Sequence, residues 1–415
     1  MKLLILSNGH GEDVIAVKIL QHLQNHPQSP KLAALPLVGE GYAYRNLNIS
    51  IIGPVQEMPS GGFITMEGKH LWKDLNQGLL NLTQKQYQIV RQWGESGGKI
   101  LAVGDILPLL LAWLSGGDYA FVGTAKSEYY WQDEYGYLPQ TPWIYRWSGS
   151  YYFPWERFLM SRPRCKAVFP RDTLTTSVLR QWSIPAFDLG NPMMDDISLE
   201  PLSTDSTFNS FNDKLTIVLL PGSRTPEALR NWHTILTAVR EIISTFKDKE
   251  LVFLGAIAPA LSLDPFQDDL MSQNWERLPL DALNYPLNDP HKIAFTYHNT
   301  PLILSQNAYI ECLKQAQIAI AMAGTATEQF IGLGKPAITI IGQGPQFTET
   351  FALAQTRLLG ISLTLVEHPQ QVPNAIQSLL KDPDRWQLMR ENGRTRMGLP
   401  GAAKRIAQSV IEQFA

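Results

Sequence analysis

The sequence has few cysteines, little net charge and no long apolar run. Its two cysteines, Cys165 and Cys312, do not stand in a metal-ligand spacing, which excludes a disulfide framework and a zinc cluster and favours a reducing compartment. A formal net charge of -3 gives no basic field that would gather nucleic acid. The longest uncharged apolar stretch, residues 106–114, is about half a membrane span. We therefore expect no zinc site, no nucleic-acid partner and no transmembrane helix.

The composition favours a cytoplasmic globular protein of two domains. The apolar run 3–6 is too short for a signal peptide and predicts a first buried strand. Hydrophobic residues make up 44% of the chain and charged residues 18%, which is ample for a packed core. A chain of 415 residues exceeds what one core usually serves, so we expect two domains of about 200 residues each.

Short apolar runs alternate with helical patterns in both halves of the chain. This order predicts the α/β class, with two doubly wound Rossmann-like domains that face one another across a cleft. We place the N-terminal domain at 1–202, a polar linker at 203–214 and the C-terminal domain at 215–390. The stretch 261–290 is rich in Asp, Pro and Asn, and we expect a long surface excursion there.

Two strand-to-helix turns in the second half carry small and hydroxylated residues. The helix start that follows each predicted strand favours an anion, and an arginine can add a charge-assisted hydrogen bond to a phosphate. We therefore predict a nucleotide-diphosphate site; the alternative is an ordinary turn and an ordinary helix cap. The candidate residues are Gly222, Ser223, Arg224, Gly324, Thr325, Ala326, Thr327, Glu328 and Gln329.

Polar residues also follow two predicted strands of the first domain. Asn8, Gly9, His10 and Gly11 follow the first strand, and Asp105 follows the strand that ends near 103. A histidine oriented by a carboxylate is a competent base for an alcohol, although Asp105 can equally cap the next helix. The glycines half match a dinucleotide fingerprint, so a nicotinamide oxidoreductase is a further alternative.

Aromatic and cationic residues alternate within an apparent insertion at 126–150 and in the segment 151–158 that follows it. Trp143, Trp147, Trp155 and Arg157 are their main members. Such a mixture suits a membrane interface or a lipid acceptor with an anionic head group. The alternative is an aromatic core loop with solvated arginine tips.

Three motifs together resemble one family. They are 190–195 (GNPMMD), 219–224 (LLPGSR) and 324–327 (GTAT). Taken in this order, they resemble motifs of the lipid-A-disaccharide synthases and their cyanobacterial and plant relatives. The resemblance implies the GT-B fold and an inverting, metal-independent transfer from a UDP-sugar to a lipid or amphipathic hydroxyl, with no cofactor, at the cytoplasmic face of a membrane. It also implies that segment 391–415 forms a closing helix that packs back towards the first domain.

The resemblance assigns roles to individual residues. It places Asp105 where the family has a catalytic aspartate, with His10 as a partner, and the loop with Asn8, Gly9 and Gly11 on the acceptor side. Gln346 and Glu349 resemble the donor-sugar loop of the peptidoglycan N-acetylglucosaminyltransferase. Gln329 departs from the family, which usually has a ribose-binding glutamate there. That departure keeps open a catalytically silent nucleotide-sugar-binding protein, beside a UDP-sugar epimerase on the same fold. The oligomeric state, monomer or homodimer, is also open.

Overall fold

The computed structural model describes residues 1–55, 79–197, 214–280, 285–342, 344 and 347–415. The chain forms two compact units. The N-terminal unit contains residues 1–195 together with 398–415, and the C-terminal unit contains residues 196–397. Most of the predicted linker 203–214 lies outside the described residues, and Lys214 already begins a strand.

The N-terminal unit is built on a six-stranded parallel sheet of order β3-β2-β1-β4-β5-β8. This is the strand order of Rossmann folds. A small antiparallel hairpin, β6 and β7, lies outside that sheet. The strands are β1 (Lys2–Ser7), β2 (Lys31–Pro36), β3 (Ser50–Ile51), β4 (Lys99–Gly104), β5 (Tyr119–Gly123), β6 (Gln132–Asp133), β7 (Gly136–Tyr137) and β8 (Cys165–Phe169).

Helices cover both faces of this sheet because successive side chains of a strand point to opposite sides. Leu3 and Ile5 pack with the first helix, whereas Leu4 and Leu6 belong to the core on the other face. The helices up to residue 180 are α1 (His10–Gln24), α2 (Tyr42–Asn46), α3 (Leu79–Glu95), α4 (Ile106–Leu114), α5 (Trp143–Ser148), α6 (Pro154–Met160) and α7 (Thr173–Arg180).

The C-terminal unit repeats the same parallel order in an eight-stranded sheet. Its order is β11-β12-β13-β10-β9-β14-β15-β16, in which β11 and β12 form an antiparallel extension. The strands are β9 (Lys214–Leu220), β10 (Glu250–Ala256), β11 (Glu276–Leu278), β12 (Ile293–Tyr297), β13 (Thr300–Ser305), β14 (Ile318–Ala321), β15 (Ala337–Ile340) and β16 (Leu363–Val366). The helices are α8 (Glu227–Thr245), α9 (Asp264–Ser272), α10 (Tyr309–Gln315), α11 (Thr325–Gly332), α12 (Glu349–Leu359), α13 (Val372–Leu380) and α14 (Pro383–Met397).

Two expectations about these segments need correction. The stretch 261–290 is not an irregular excursion throughout, because α9 buries Phe266 and Leu270 in the core and β11 extends the sheet. The predicted boundary between 390 and 391 falls inside the continuous helix α14. The chain instead enters the N-terminal unit at Gly398.

The last helix, α15 (Ala402–Phe414), completes the N-terminal unit. Its buried face, which includes Ile406 and Val410, shares a core with α1 and β1. Asp195 holds the start of this helix: its carboxylate accepts the N–H groups of Gly401, Ala402 and Ala403 at 2.7–2.9 Å. The motif segment 190–195 therefore has a structural task, because it ends on the residue that caps α15.

Candidate functional site

The two small-residue turns of the C-terminal unit lie side by side. Strands β9 and β14 pair in parallel, with Leu220 opposite Ala321, so both chains leave the sheet at the same edge. Asn231 of α8 joins the two turns, because its amide donates to the carbonyl of Pro221 at 3.0 Å and to that of Met322 at 3.2 Å. The sequence did not single out Asn231; its signal was an amide on an otherwise apolar helix face.

The first turn presents exposed groups ahead of a helix. Gly222 has φ of +102°, and a Cβ there would lie 3.3 Å from the Met322 carbonyl oxygen, so this position strongly favours glycine. Ser223 and Arg224 are exposed. The helix itself begins only at Glu227. This geometry offers a backbone turn, a hydroxyl and a guanidinium to an anion.

The second turn enters α11 directly, and only part of it is outward-facing. Thr325 is exposed, whereas Thr327 is fully buried and donates its hydroxyl to the Ala323 carbonyl at 2.6 Å. The expectation that Thr327 offers its hydroxyl to a ligand is therefore wrong, because that hydroxyl closes the turn. Gln355 of α12 supports the same turn through hydrogen bonds to the carbonyls of Ala323 and Gly324, at 3.0 and 3.2 Å.

Gln329, at the family's glutamate position, is tied to a neighbouring helix. It is buried, and its side-chain oxygen accepts the hydroxyl of Tyr309 at 2.6 Å. Glu328 is also largely buried, and Ala326 is half-buried. The bond to Tyr309 fixes the direction of the Gln329 amide, so the glutamate-to-glutamine departure is accommodated by a polar partner within the unit.

The predicted donor-sugar loop is held at its far end. Gln346 lies outside the described residues, and Glu349 is an exposed first-turn residue of α12, whose N-cap is Thr348. The buried carboxylate of Glu227 accepts the Phe347 N–H at 2.6 Å. This bond ties the residues before α12 to the start of α8.

A buried carboxylate organises the loop after β13. Asp289 accepts the hydroxyl of Ser305 at 2.6 Å, the backbone N–H groups of Gln306 and Asn307 at 3.2 and 3.1 Å, and the Asn307 amide at 3.2 Å. These hydrogen bonds lower the pKa of Asp289, because they stabilise its charged form. The loop that leads into α10 and Tyr309 is therefore rigidly held.

In the N-terminal unit, Asp105 is both a helix cap and part of a polar site. Its Oδ1 accepts the Leu107 N–H at 3.0 Å, which caps α4, and its Oδ2 accepts the Asn8 amide at 3.0 Å. Burial raises the pKa of Asp105, and the two hydrogen bonds oppose that rise. The described partner from the β1–α1 turn is thus Asn8, while the side chain of His10 lies outside the described residues.

Buried hydrogen bonds hold the β1–α1 turn in place. Gly9 precedes α1 with φ of +137°, and Gly11 is exposed in the first helical turn. The buried Asp13 accepts the Ser7 hydroxyl at 2.5 Å, and Ser7 in turn accepts the Tyr44 hydroxyl at 2.5 Å. This chain of hydrogen bonds fixes the direction in which the turn leaves β1.

The aromatic insertion is exposed at its tryptophans and buried at its arginine. Trp143, Trp147 and Trp155 are 73%, 65% and 58% exposed. Arg157 is only 6% exposed, and its guanidinium lies 3.7 Å from the centre of the Trp182 ring. Arg157 is therefore not a solvated tip, because it is buried against the Trp182 ring.

Ring contacts link the helices that carry these tryptophans. Tyr145 of α5 contacts Phe153 at a centroid distance of 5.5 Å, and Phe153 stacks on Trp155 of α6 at 4.7 Å. Phe158 of α6 meets Trp113 of α4 at 6.4 Å. We call the exposed apolar residues on these three helices the aromatic face: Leu110, Leu114, Trp143, Trp147, Trp155 and Phe158.

No helix in the described part of the chain is long and apolar enough to cross a membrane. No group of three or more His, Cys, Asp or Glu side chains among those residues is arranged to hold a metal ion.

Comparison with known proteins supports the resemblance that the motifs indicated. No protein-family model matches the sequence. The chain is 25% identical over 256 residues to a lipid-A-disaccharide synthase of Syntrophus aciditrophicus strain SB, a match that covers 55% of this chain and 57% of that synthase. It thus spans little more than half the length of this curated relative.

Solved structures confirm the predicted fold class. MurG of Acinetobacter baumannii matches with a TM-score of 0.57 at 12% identity, over 99% of this chain and 99% of that chain. A UDP-GlcNAc 2-epimerase of Neisseria meningitidis, solved with UDP-GlcNAc, matches with a TM-score of 0.55 at 15% identity, over 99% and 100%. The protein therefore has the GT-B fold, with two Rossmann-like α/β domains.

Proposed function

We propose that the protein is a glycosyltransferase that takes its sugar from a UDP-sugar. The observation that carries this proposal is the pair of adjacent turns at Gly222 and Gly324, joined by Asn231. Backbone groups at strand-to-helix turns suit a diphosphate. The partial similarity to a lipid-A-disaccharide synthase supports the proposal that this diphosphate is part of a sugar nucleotide.

The proposed reaction is an inverting transfer without a metal. An acceptor hydroxyl loses its proton at the carboxylate site around Asp105 and attacks the anomeric carbon. The bond from that carbon to the diphosphate oxygen breaks, and UDP leaves with the electron pair. Ser223, Arg224, Thr325 and the turn backbone stabilise the charge on the departing diphosphate.

We propose further that the acceptor is a lipid or another amphipathic alcohol met at the cytoplasmic face of a membrane. The aromatic face supports this, because exposed tryptophans suit the boundary between head groups and acyl chains. Arg162 adds a cation to that face, with its guanidinium 3.9 Å from the centre of the Phe158 ring. A cation there favours anionic head groups.

Thermal-shift measurements with UDP-, GDP-, ADP- and TDP-sugars test the donor class. A ligand that binds the folded state raises the melting temperature by mass action, so we expect a rise with UDP and UDP-sugars and little with the others. Release of UDP from UDP-N-acetylglucosamine, with a total lipid extract of the source organism in micelles, then tests transfer. Loss of the preference for uridine would contradict the proposal.

A UDP-sugar epimerase is the second candidate, favoured by the full-length likeness to UDP-GlcNAc 2-epimerases. An epimerase needs no acceptor. Conversion of UDP-N-acetylglucosamine to a second sugar in the absence of lipid, followed by NMR, would support this candidate, whereas conversion that requires the lipid extract would support the transferase.

A further inference from the structure

A second carboxylate accompanies Asp105, and it comes from the opposite turn. Strands β1 and β4 pair in parallel, with Ser7 opposite Val103, so the turns after them are neighbours. Glu12, in the first turn of α1, packs over Gly104: a Cβ on that glycine would lie 3.2 Å from the Glu12 Cγ. Gly104 has φ of +131° and directly precedes Asp105, so both the conformation and the close approach favour glycine.

The surroundings of Glu12 hold its proton more tightly than usual. Burial raises the pKa of Glu12 to about 7, and repulsion from Asp105 and Asp13 adds to the rise, while its own backbone N–H opposes it. The Thr124 hydroxyl donates to Oε1 at 3.5 Å, at the limit of a hydrogen bond. Among the described residues, Tyr44 of α2 also interacts with Glu12.

Asp105 is held quite differently. One of its oxygens accepts a backbone N–H and the other accepts the Asn8 amide, both at 3.0 Å. Burial raises the pKa of Asp105 as well, and these two bonds oppose that rise. A general base works best when its pKa lies near the working pH. Glu12 meets that condition, and unlike Asp105 it is not committed to a helix cap.

We propose that Glu12, packed over Gly104 beside the Asp105 turn, accepts the proton of the attacking hydroxyl and that Asp105 is a positioning residue. The inference rests on the proposed transfer. The acceptor O–H bond breaks as its oxygen bonds the anomeric carbon, the proton passes to a Glu12 carboxylate oxygen, and the electron pair of the glycosidic bond leaves with UDP. Protonated Glu12 then returns the proton to water.

The test follows UDP release from UDP-N-acetylglucosamine, with the lipid extract as acceptor, between pH 5 and 9. In the wild type we expect kcat/KM to fall about tenfold per pH unit below pH 7, because only ionised Glu12 can accept the proton. Glu12→Gln should lower kcat at least about 100-fold and leave UDP affinity unchanged. In Asp105→Asn, the residual activity should have its acid limb at lower pH, because a repulsion is removed.

Glu95→Gln is the matched control, since Glu95 is an exposed carboxylate paired with Arg91 on α3. It should behave as the wild type. Glu12→Asp should keep part of the activity with a pH limb of the same form. The role of Glu12 would be overturned if Glu12→Gln turned over as fast as the wild type. It would also be overturned if Asp105→Asn did not shift the acid limb of the pH profile. Neither result would contradict the proposed transferase activity. An absence of wild-type transfer in the presence of UDP binding would instead overturn the proposed function itself.

Discussion

At the scale of single residues, the site consists of a few exposed groups on a buried scaffold. Arg224 and Thr325 are exposed, while Asn231, Thr327 and Gln329 are buried and hold the turns in place. The hydrogen bonds of these buried residues fix the backbone that carries the exposed ones.

Asp105→Asn tests the acceptor side. We expect kcat to fall by about tenfold or more, because the Asn8 amide and the start of α4 lose the carboxylate that positions them. The dissociation constant of UDP should stay within twofold of the wild type, because the proposed diphosphate turns belong to the C-terminal unit. Isothermal titration with UDP and a UDP-release assay measure the two effects. Asp118→Asn is a suitable control, since the Asp118 carboxylate forms salt bridges with Lys99 and Lys166. A collapse of UDP affinity with unchanged turnover of bound donor would contradict this assignment.

Asn231→Ala tests the donor side. It leaves two buried carbonyls without their amide donor, so we expect a loss of about 1–3 kcal/mol in the free energy of unfolding and a dissociation constant for UDP that rises about tenfold. Thr234→Ala, one turn further along α8, removes only a hydroxyl bonded to its own helix and should change neither value. UDP affinity unaltered in Asn231→Ala would show that the two turns do not act together.

At the scale of secondary-structure elements, single carboxylates fix whole segments. Asp195 caps α15 with three hydrogen bonds, and Asp289 fastens the loop between β13 and α10. Asp195 joins residues more than 200 positions apart in the sequence, and Asp289 joins residues 16 to 18 positions apart.

Asp195→Ala should destabilise the N-terminal unit by about 1–2 kcal/mol, because three N–H groups of α15 lose their acceptor. Urea unfolding followed by circular dichroism measures this. Glu412→Gln is the control. Glu412 lies at the exposed end of the same helix and accepts a hydrogen bond from the Gln408 amide, so we expect the substitution to leave the midpoint unchanged. Equal midpoints for the two variants would argue against the cap.

The charge of Asp289 makes the stability of the C-terminal unit sensitive to acid. Its pKa is lowered in the folded state, so its contribution is fully present above the unfolded pKa of about 3.9 and is lost as the pH falls below that value. Asp289→Asn should therefore be less stable than the wild type at pH 7, and the difference should shrink towards pH 2. A constant difference across that range would mean that ionisation of Asp289 is not involved.

At the scale of the whole molecule, the chain combines the GT-B fold with a group of exposed aromatic and aliphatic side chains. The exposed residues of the aromatic face stand on three helices of the N-terminal unit. A monomer rarely exposes so many large apolar side chains in one region without a binding role.

Vesicle sedimentation tests the aromatic face. We expect the wild type to bind vesicles of phosphatidylglycerol and phosphatidylcholine, and the double variant Trp155→Ala with Phe158→Ser to bind at least about tenfold more weakly, since each buried aromatic side chain contributes roughly 1.5–3 kcal/mol. Leu388→Ser removes an exposed leucine of α14 and serves as the control. Binding that is equally weak in all three proteins would rule out a membrane role for this face.

From the sequence alone, local periodicity and backbone freedom predicted the alternation of strands and helices and the two glycine turns, while the resemblance of three motifs to a known family implied the GT-B class. The sequence also indicated Asp105, whose position after a strand is local information. Only the tertiary structure decided which groups meet. The pairing of β9 with β14 joins turns that are far apart in the chain, and the pairing of β1 with β4 brings Glu12 over Gly104. The inward direction of Thr327 and the burial of Arg157 are likewise results of packing, because a side chain's neighbours, and not its own identity, determine whether it is buried.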